Sequence, residues 1–143
     1  MKAVLLGQAA PIDPDRIGLP LYETPVPAGF PSPATEQIER HLDLHRHVVR
    51  HASATFFLTA CGDSMLGAGI HSGDLLVVDR EIAAEHNRIV IAALDGELTC
   101  KRLVRSEDGV FLMPENPEFE AIDITHREYV FIWGVVTHVI HKL

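Results

Sequence analysis

Ser64 and Lys101, 37 positions apart, are a pair whose residue types suit acyl transfer. A serine hydroxyl becomes a useful nucleophile only when a base takes its proton. A lysine at its reference pKa of about 10.4 is charged at neutral pH, but burial among apolar groups lowers that value by about 3 to 5 units. The neutral amine then serves as base, and serine-lysine is a known variant of the serine-histidine-aspartate arrangement. Gly62-Asp63-Ser64-Met65 follows an apolar run. A turn there presents the hydroxyl at a strand end, with the backbone N–H groups of Ser64 and Met65 as candidate oxyanion donors. Each half has an ordinary reading as well: Gly-Asp-Ser is common turn chemistry, and a mid-strand lysine discourages edge-to-edge aggregation.

The elements that must position this pair read as strands. From Thr55 onward, runs rich in β-branched and aromatic residues alternate with Gly, Asp, Asn or Pro signals, predicting strands near 55–60, 75–79, 88–94, 97–104, 110–113, 121–124 and 129–140. Asp95-Gly96 is the strongest hairpin signal and puts Lys101 in mid-strand. Alternation sets Thr99, Lys101 and Leu103 on one face and Leu98, Cys100, Arg102 and Val104 on the other; both faces carry apolar residues, so either cation is a candidate for burial. Before the strands, Ser32 and Pro33 offer a helix start, and Ala34, Ile38, Leu42 and Val49 recur at helical spacing as far as about Arg50. One helix or two short ones fit. Seven of the nine prolines fall in the first 33 residues, which read as an extended, docked but detachable arm. The expectation is a mostly-β domain of about seven short strands behind such an arm and one or two short helices.

Composition narrows the partners. The net charge of -8 argues against direct nucleic-acid binding, since a duplex binder carries a basic stripe. The apolar start, Met1 to Leu6, is too short for a signal-peptide core, and no later run reaches the roughly 18 residues of a membrane span. A cytoplasmic protein with no membrane contact is expected, with Cys61 and Cys100 as free thiols. His41 and His45, like His47 and His51, are four apart, but no cysteine or well-spaced carboxylate joins them, so no metal and no cofactor is expected. Cys61 lacks a suitably placed histidine for cysteine-peptidase chemistry.

Gly62-Asp63-Ser64-Met65, the run from Ser72 to Asp79, the run from Asp95 to Lys101 and Trp133-Gly134-Val135-Val136 together resemble the motifs of the LexA and UmuD family. The match keeps one register from about Phe30 to Leu143. In that family the serine is the nucleophile and the lysine its base, and the resemblance implies a compact LexA/UmuD-like peptidase fold. It also implies self-cleavage at an Ala-Gly or Cys-Gly bond ahead of the catalytic domain, which Ala28-Gly29 matches within Pro27-Ala28-Gly29-Phe30-Pro31. Residues 1–28 would then be the arm removed, and 29–143 the peptidase domain. A proline-rich arm of this length has no room for the helix-turn-helix domain of the repressors, so the resemblance is nearer to UmuD. It implies three partners: an activated RecA filament that promotes cleavage, a second copy in a homodimer, and a UmuC-like, Y-family DNA polymerase. The rival reading is a non-catalytic subunit that only dimerises and docks a polymerase. Signal peptidases also use serine and lysine, but the missing membrane anchor speaks against them.

Overall fold

The computed structural model describes residues 2–8, 18–22, 28–29 and 38–143. Strands β1 (Lys2–Gln8), β2 (Leu19–Tyr22) and β3 (Ile38–Leu42) lead into a short helix α1 (Leu44–Val48). Then come β4 (Thr55–Cys61), β5 (Leu75–Asp79), β6 (Ile89–Leu94), β7 (Glu97–Ser106), β8 (Gly109–Met113), β9 (Ile122–Asp123) and β10 (Val130–Ile140). All seven strands expected after Thr55 are present. The fold is mostly β, and no helix among the described residues is long and apolar enough to cross a membrane.

Every pairing is antiparallel. The large sheet runs β1-β4-β5-β10-β6-β7-β8-β9, and β1 also meets β7 through Lys2 and Thr99. Six strands therefore close into a ring, leaving β8 and β9 as an extension beyond β7. Closure removes the unpaired edges that a flat sheet would expose. One core cluster gathers Leu58, Ala60, Met65, Ile70, Leu76, Val78, Ile91 and Cys100; a second, on the other side of the sheet, gathers Val90, Ala92, Leu103, Leu112 and Val135. The β6–β7 hairpin turns through Asp95 and Gly96 at φ 51° and 84°, both left-handed, as a tight turn matched to strand twist requires.

One expectation for the first fifty residues needs correction. Ile38 to Leu42 is not helical: it pairs with β2, Leu42 opposite Leu19 and His41 opposite Pro20. Apolar residues four apart fit either period in so short a window, and a neighbouring strand decides the outcome. The helix that does form begins later, where the Asp43 side chain accepts a hydrogen bond from Arg46 N at 3.3 Å. The proposed helix start at Ser32 and Pro33 lies outside the described residues. The arm also contributes a barrel strand, since β1 pairs with β4 from Lys2 opposite Cys61 to Gln8 opposite Phe56.

Candidate active site

Strand β7 forks at the site. On one edge it is continuous with β6, which sets Val90 opposite Lys101. On the other edge its first half meets β1 at Thr99, and its second half meets β8 from Arg102 onward. Among the described residues, no strand pairing covers Cys100 and Lys101 on that edge. The Lys101 amine occupies the region, donating to Ser64 Oγ at 2.9 Å, to the Cys100 carbonyl at 3.2 Å and to Thr99 Oγ1 at 3.4 Å. Ser64 is fully buried and Lys101 is 5% exposed. Two groups 37 residues apart are thus brought to hydrogen-bonding distance in a nearly water-free position. That is the geometry a general base needs relative to its nucleophile.

The turn carrying Ser64 is held from the far side of β8. Glu115 N donates to the Ser64 carbonyl at 2.7 Å, Gly67 N donates to the Glu115 carbonyl at 2.7 Å, and the Asn116 amide donates to the Asp63 carbonyl at 2.9 Å. The approach at Gly67 admits no side chain: a Cβ there would fall 2.7 Å from the Glu115 oxygen. The Glu115 carboxylate pairs with the Arg102 guanidinium, which also donates to the Asn87 carbonyl at 2.6 Å. Arg102 follows Lys101 on the same strand, so one strand supplies the amine and anchors the clamp that holds the serine. Met65 is buried in the first core cluster, and among the described residues no hydrogen bond engages its N–H.

The strand's remaining chemistry is inert. Burial pushes the Cys100 thiol up to about 12, so Cys100 packs as a small hydrophobe; Cys61 is exposed, and both are free thiols. Ala28 and Gly29 lie in an exposed bend, and a Cβ built at Gly29 would meet no atom of the described residues within 4 Å. The histidine pairs considered in the sequence remain without a metal-ligand set among the described residues. One cluster does meet that test, His71 with Asp74 and His141, from segments too far apart in sequence to suggest each other. Glu115, Asn116 and Arg102 were missed as well. The only sequence signal for them is the position of Arg102 beside Lys101.

Comparison with known proteins bears on this geometry. Residues 20–137 match the family described as peptidase S24-like. The chain belongs to the peptidase S24-like family. It is 45% identical to protein ImpA of Salmonella typhimurium over 143 residues, spanning 99% of this chain and 97% of that one. It is 47% identical to protein MucA of Escherichia coli over 121 residues, 84% and 82% of the two chains. To LexA repressor 1 of Geobacter sulfurreducens it is 46% identical over 103 residues, 72% of this chain but 50% of the repressor. It is a UmuD-like member of this self-cleaving peptidase family, of the kind associated with the SOS response and mutagenesis.

Proposed function

We propose that this S24-like chain cuts its own Ala28-Gly29 bond, with Ser64 as nucleophile and Lys101 as its base. The observation that carries the reading is the buried 2.9 Å contact between Lys101 Nζ and Ser64 Oγ. In the first step the amine takes the hydroxyl proton while Oγ forms a bond to the Ala28 carbonyl carbon. The negative charge on the carbonyl oxygen is met by backbone N–H groups of Ser64 and Met65. Collapse breaks the bond to Gly29 nitrogen, which leaves as an amine with the proton from Lys101. Water, deprotonated by the same amine, then releases the Ala28 carboxylate and restores Ser64. Because the substrate is part of the enzyme, effective concentration is high and no turnover is needed.

The exposed bend at Gly29 implies that the bond must be delivered to the serine, within one chain or between two. A RecA filament promotes cleavage by favouring the delivered state. The product, residues 29–143, is a homodimeric cytoplasmic subunit for a Y-family translesion polymerase. Topology supports a change of surface on cutting: loss of residues 1–28 removes β1 and β2, uncovering the edge of β4, part of β7 and the whole of β3. The test is intact mass and N-terminal sequencing after incubation with RecA, single-stranded DNA and nucleotide. A product beginning at Gly29 is expected. An uncut chain points to a docking subunit with an idle pair, and a different new N-terminus overturns the bond assignment.

A further inference from the structure

Behind the turn that carries Ser64, the loop before β5 and the segment after β10 bring three metal-ligating side chains together. His71, Asp74 and His141 each offer a donor atom, and all three atoms lie within 4.8 Å of one another. His141 Nδ1 is 2.5 Å from one Asp74 carboxylate oxygen, and His71 Nδ1 is 3.7 Å from the other. The two imidazole rings are 4.6 Å apart between centroids and tilted by 35°. Asp74 is 3% exposed, whereas the histidine side chains are 50% and 43% exposed. The carboxylate is thus fixed at the base of the cluster and the imidazoles stand at its mouth, open to an arriving ion.

The geometry points to a binding site for a divalent first-row transition ion of the zinc class, held by His71, Asp74 and His141. Two imidazoles and one carboxylate are a borderline donor set that suits such ions and leaves a coordination position for water. Around an ion with bonds of about 2.0 to 2.2 Å, tetrahedral ligands stand about 3.4 Å apart. His141 approaches one Asp74 oxygen at 2.5 Å and His71 the other at 3.7 Å, so the side chains must rotate from these contacts to converge on a shared ion. The hydrogen bond from His141 to Asp74 is the apo arrangement, and the ion replaces it.

Asp74 is already oriented by the protein. The His71 backbone N–H donates to one of its carboxylate oxygens at 2.8 Å. A ligating carboxylate supported by a backbone N–H is the outer arrangement that metal centres require. The loop is also tied to the nucleophile's strand: Ala60 N donates to the Asp74 carbonyl and Gly73 N to the Ala60 carbonyl, both at 2.8 Å, and Gly62 N donates to Ser72 Oγ at 3.2 Å. An ion here cross-links the segment after β10 to the strand end from which the Ser64 turn departs. The site needs no peptidase activity.

Titration of the full chain with zinc chloride, followed by calorimetry, and with cobalt chloride, followed by visible absorption, tests this. One ion per chain is expected, with a rise in thermal midpoint on adding zinc. Loss of a direct ligand should weaken binding by more than the roughly 10- to 100-fold typical of outer partners. His71→Ala and His141→Ala should each do so and abolish the zinc-dependent rise, while His47→Ala and Cys61→Ser keep both. The exposed histidine variants leave the fold intact; Asp74→Asn tests the buried ligand. Zinc bound equally well by His71→Ala and His141→Ala, or no saturable binding by wild type at micromolar zinc, overturns the site.

Discussion

The nucleophile and the bond proposed for it are held in opposite ways. Ser64 is fully buried, in contact with Lys101, and its turn is clamped by backbone bonds to Glu115. Ala28 and Gly29 sit in an exposed bend, and among the described residues nothing lies within 4 Å of a Cβ built at Gly29. Such an imbalance suits a protein that must remain uncut until signalled. On the function proposed above, the pair is already in contact and control falls on delivery of the bond. An activator then needs only to shift a conformational equilibrium, without touching the catalytic groups.

The largest effect should come from removing either half of the prebuilt side. Ser64→Ala and Lys101→Ala should each slow self-cleavage by more than about a thousandfold, since residues acting as one unit lose nearly everything together. Lys101→Arg should fail as completely, because arginine keeps its proton and cannot act as base. Lys101→Met should be inactive yet at least as stable as wild type in denaturant unfolding, because it replaces a buried polar amine with an apolar chain of similar volume. Cleavage by Lys101→Arg near the wild-type rate would reduce the lysine to a positive charge and remove the contrast.

On the delivered side, Gly29→Leu should slow processing by about a hundredfold, as misplacement of a reacting group by roughly an ångström does. Its unfolding midpoint should not move, since a Cβ there meets no atom of the described residues within 4 Å. Normal processing, read by intact mass, would place the cut elsewhere. A smaller effect is expected from loosening the clamp. Gly67→Ala sets a methyl against the Glu115 carbonyl and should cost about 1 to 3 kcal/mol of stability, with slower cleavage at temperatures where the fold persists. Glu115→Gln, which weakens the pairing with Arg102, should act in the same direction more mildly. If both variants cut at the wild-type rate, the serine's position does not depend on this loop.

The two regions also differed in how far they could be read from sequence. The strands after Thr55 were legible because period-two runs were punctuated by turn residues, and Asp95-Gly96 forces its own left-handed geometry. The serine and lysine were legible through motif spacing, and the antiparallel ladder does the rest. The first fifty residues were not. Residues 3–6 form an apolar run without alternation, which says nothing about a partner, and β1 exists because β4 offers it an edge. Ile38 to Leu42 suits helix or strand equally until β2 pairs with it. The Arg102–Glu115 anchor and the His71-Asp74-His141 cluster escaped for a related reason. Both join residues from separate elements, the latter across 67 positions, and only the closed sheet brings them together.

The smallest effect expected separates the two thiols and tests how dry the dyad strand is. Cys100 belongs to the first core cluster and precedes Lys101 on β7, and its pKa is raised from 9.0 to about 12; Cys61 is exposed at the end of β4. Between about pH 9 and 12 the unfolded chain has lost the Cys100 proton while the folded chain keeps it. The folded state therefore binds more protons, and stability must fall as pH rises, by about 1.4 kcal/mol per pH unit from this group. Below pH 9 the thiol is protonated in both states and its contribution is flat. Cys100→Val keeps an apolar side chain of similar size and has no proton to lose. Its denaturant midpoint should match wild type within a small margin at pH 8 and exceed it at pH 10, and Cys61→Ser should show no such divergence. A thiol reagent should modify Cys61 alone in the folded protein. Parallel alkaline limbs for wild type and Cys100→Val, or ready modification of Cys100, would mean that water reaches this strand, and that the site around Ser64 and Lys101 is as open as the bend at Gly29.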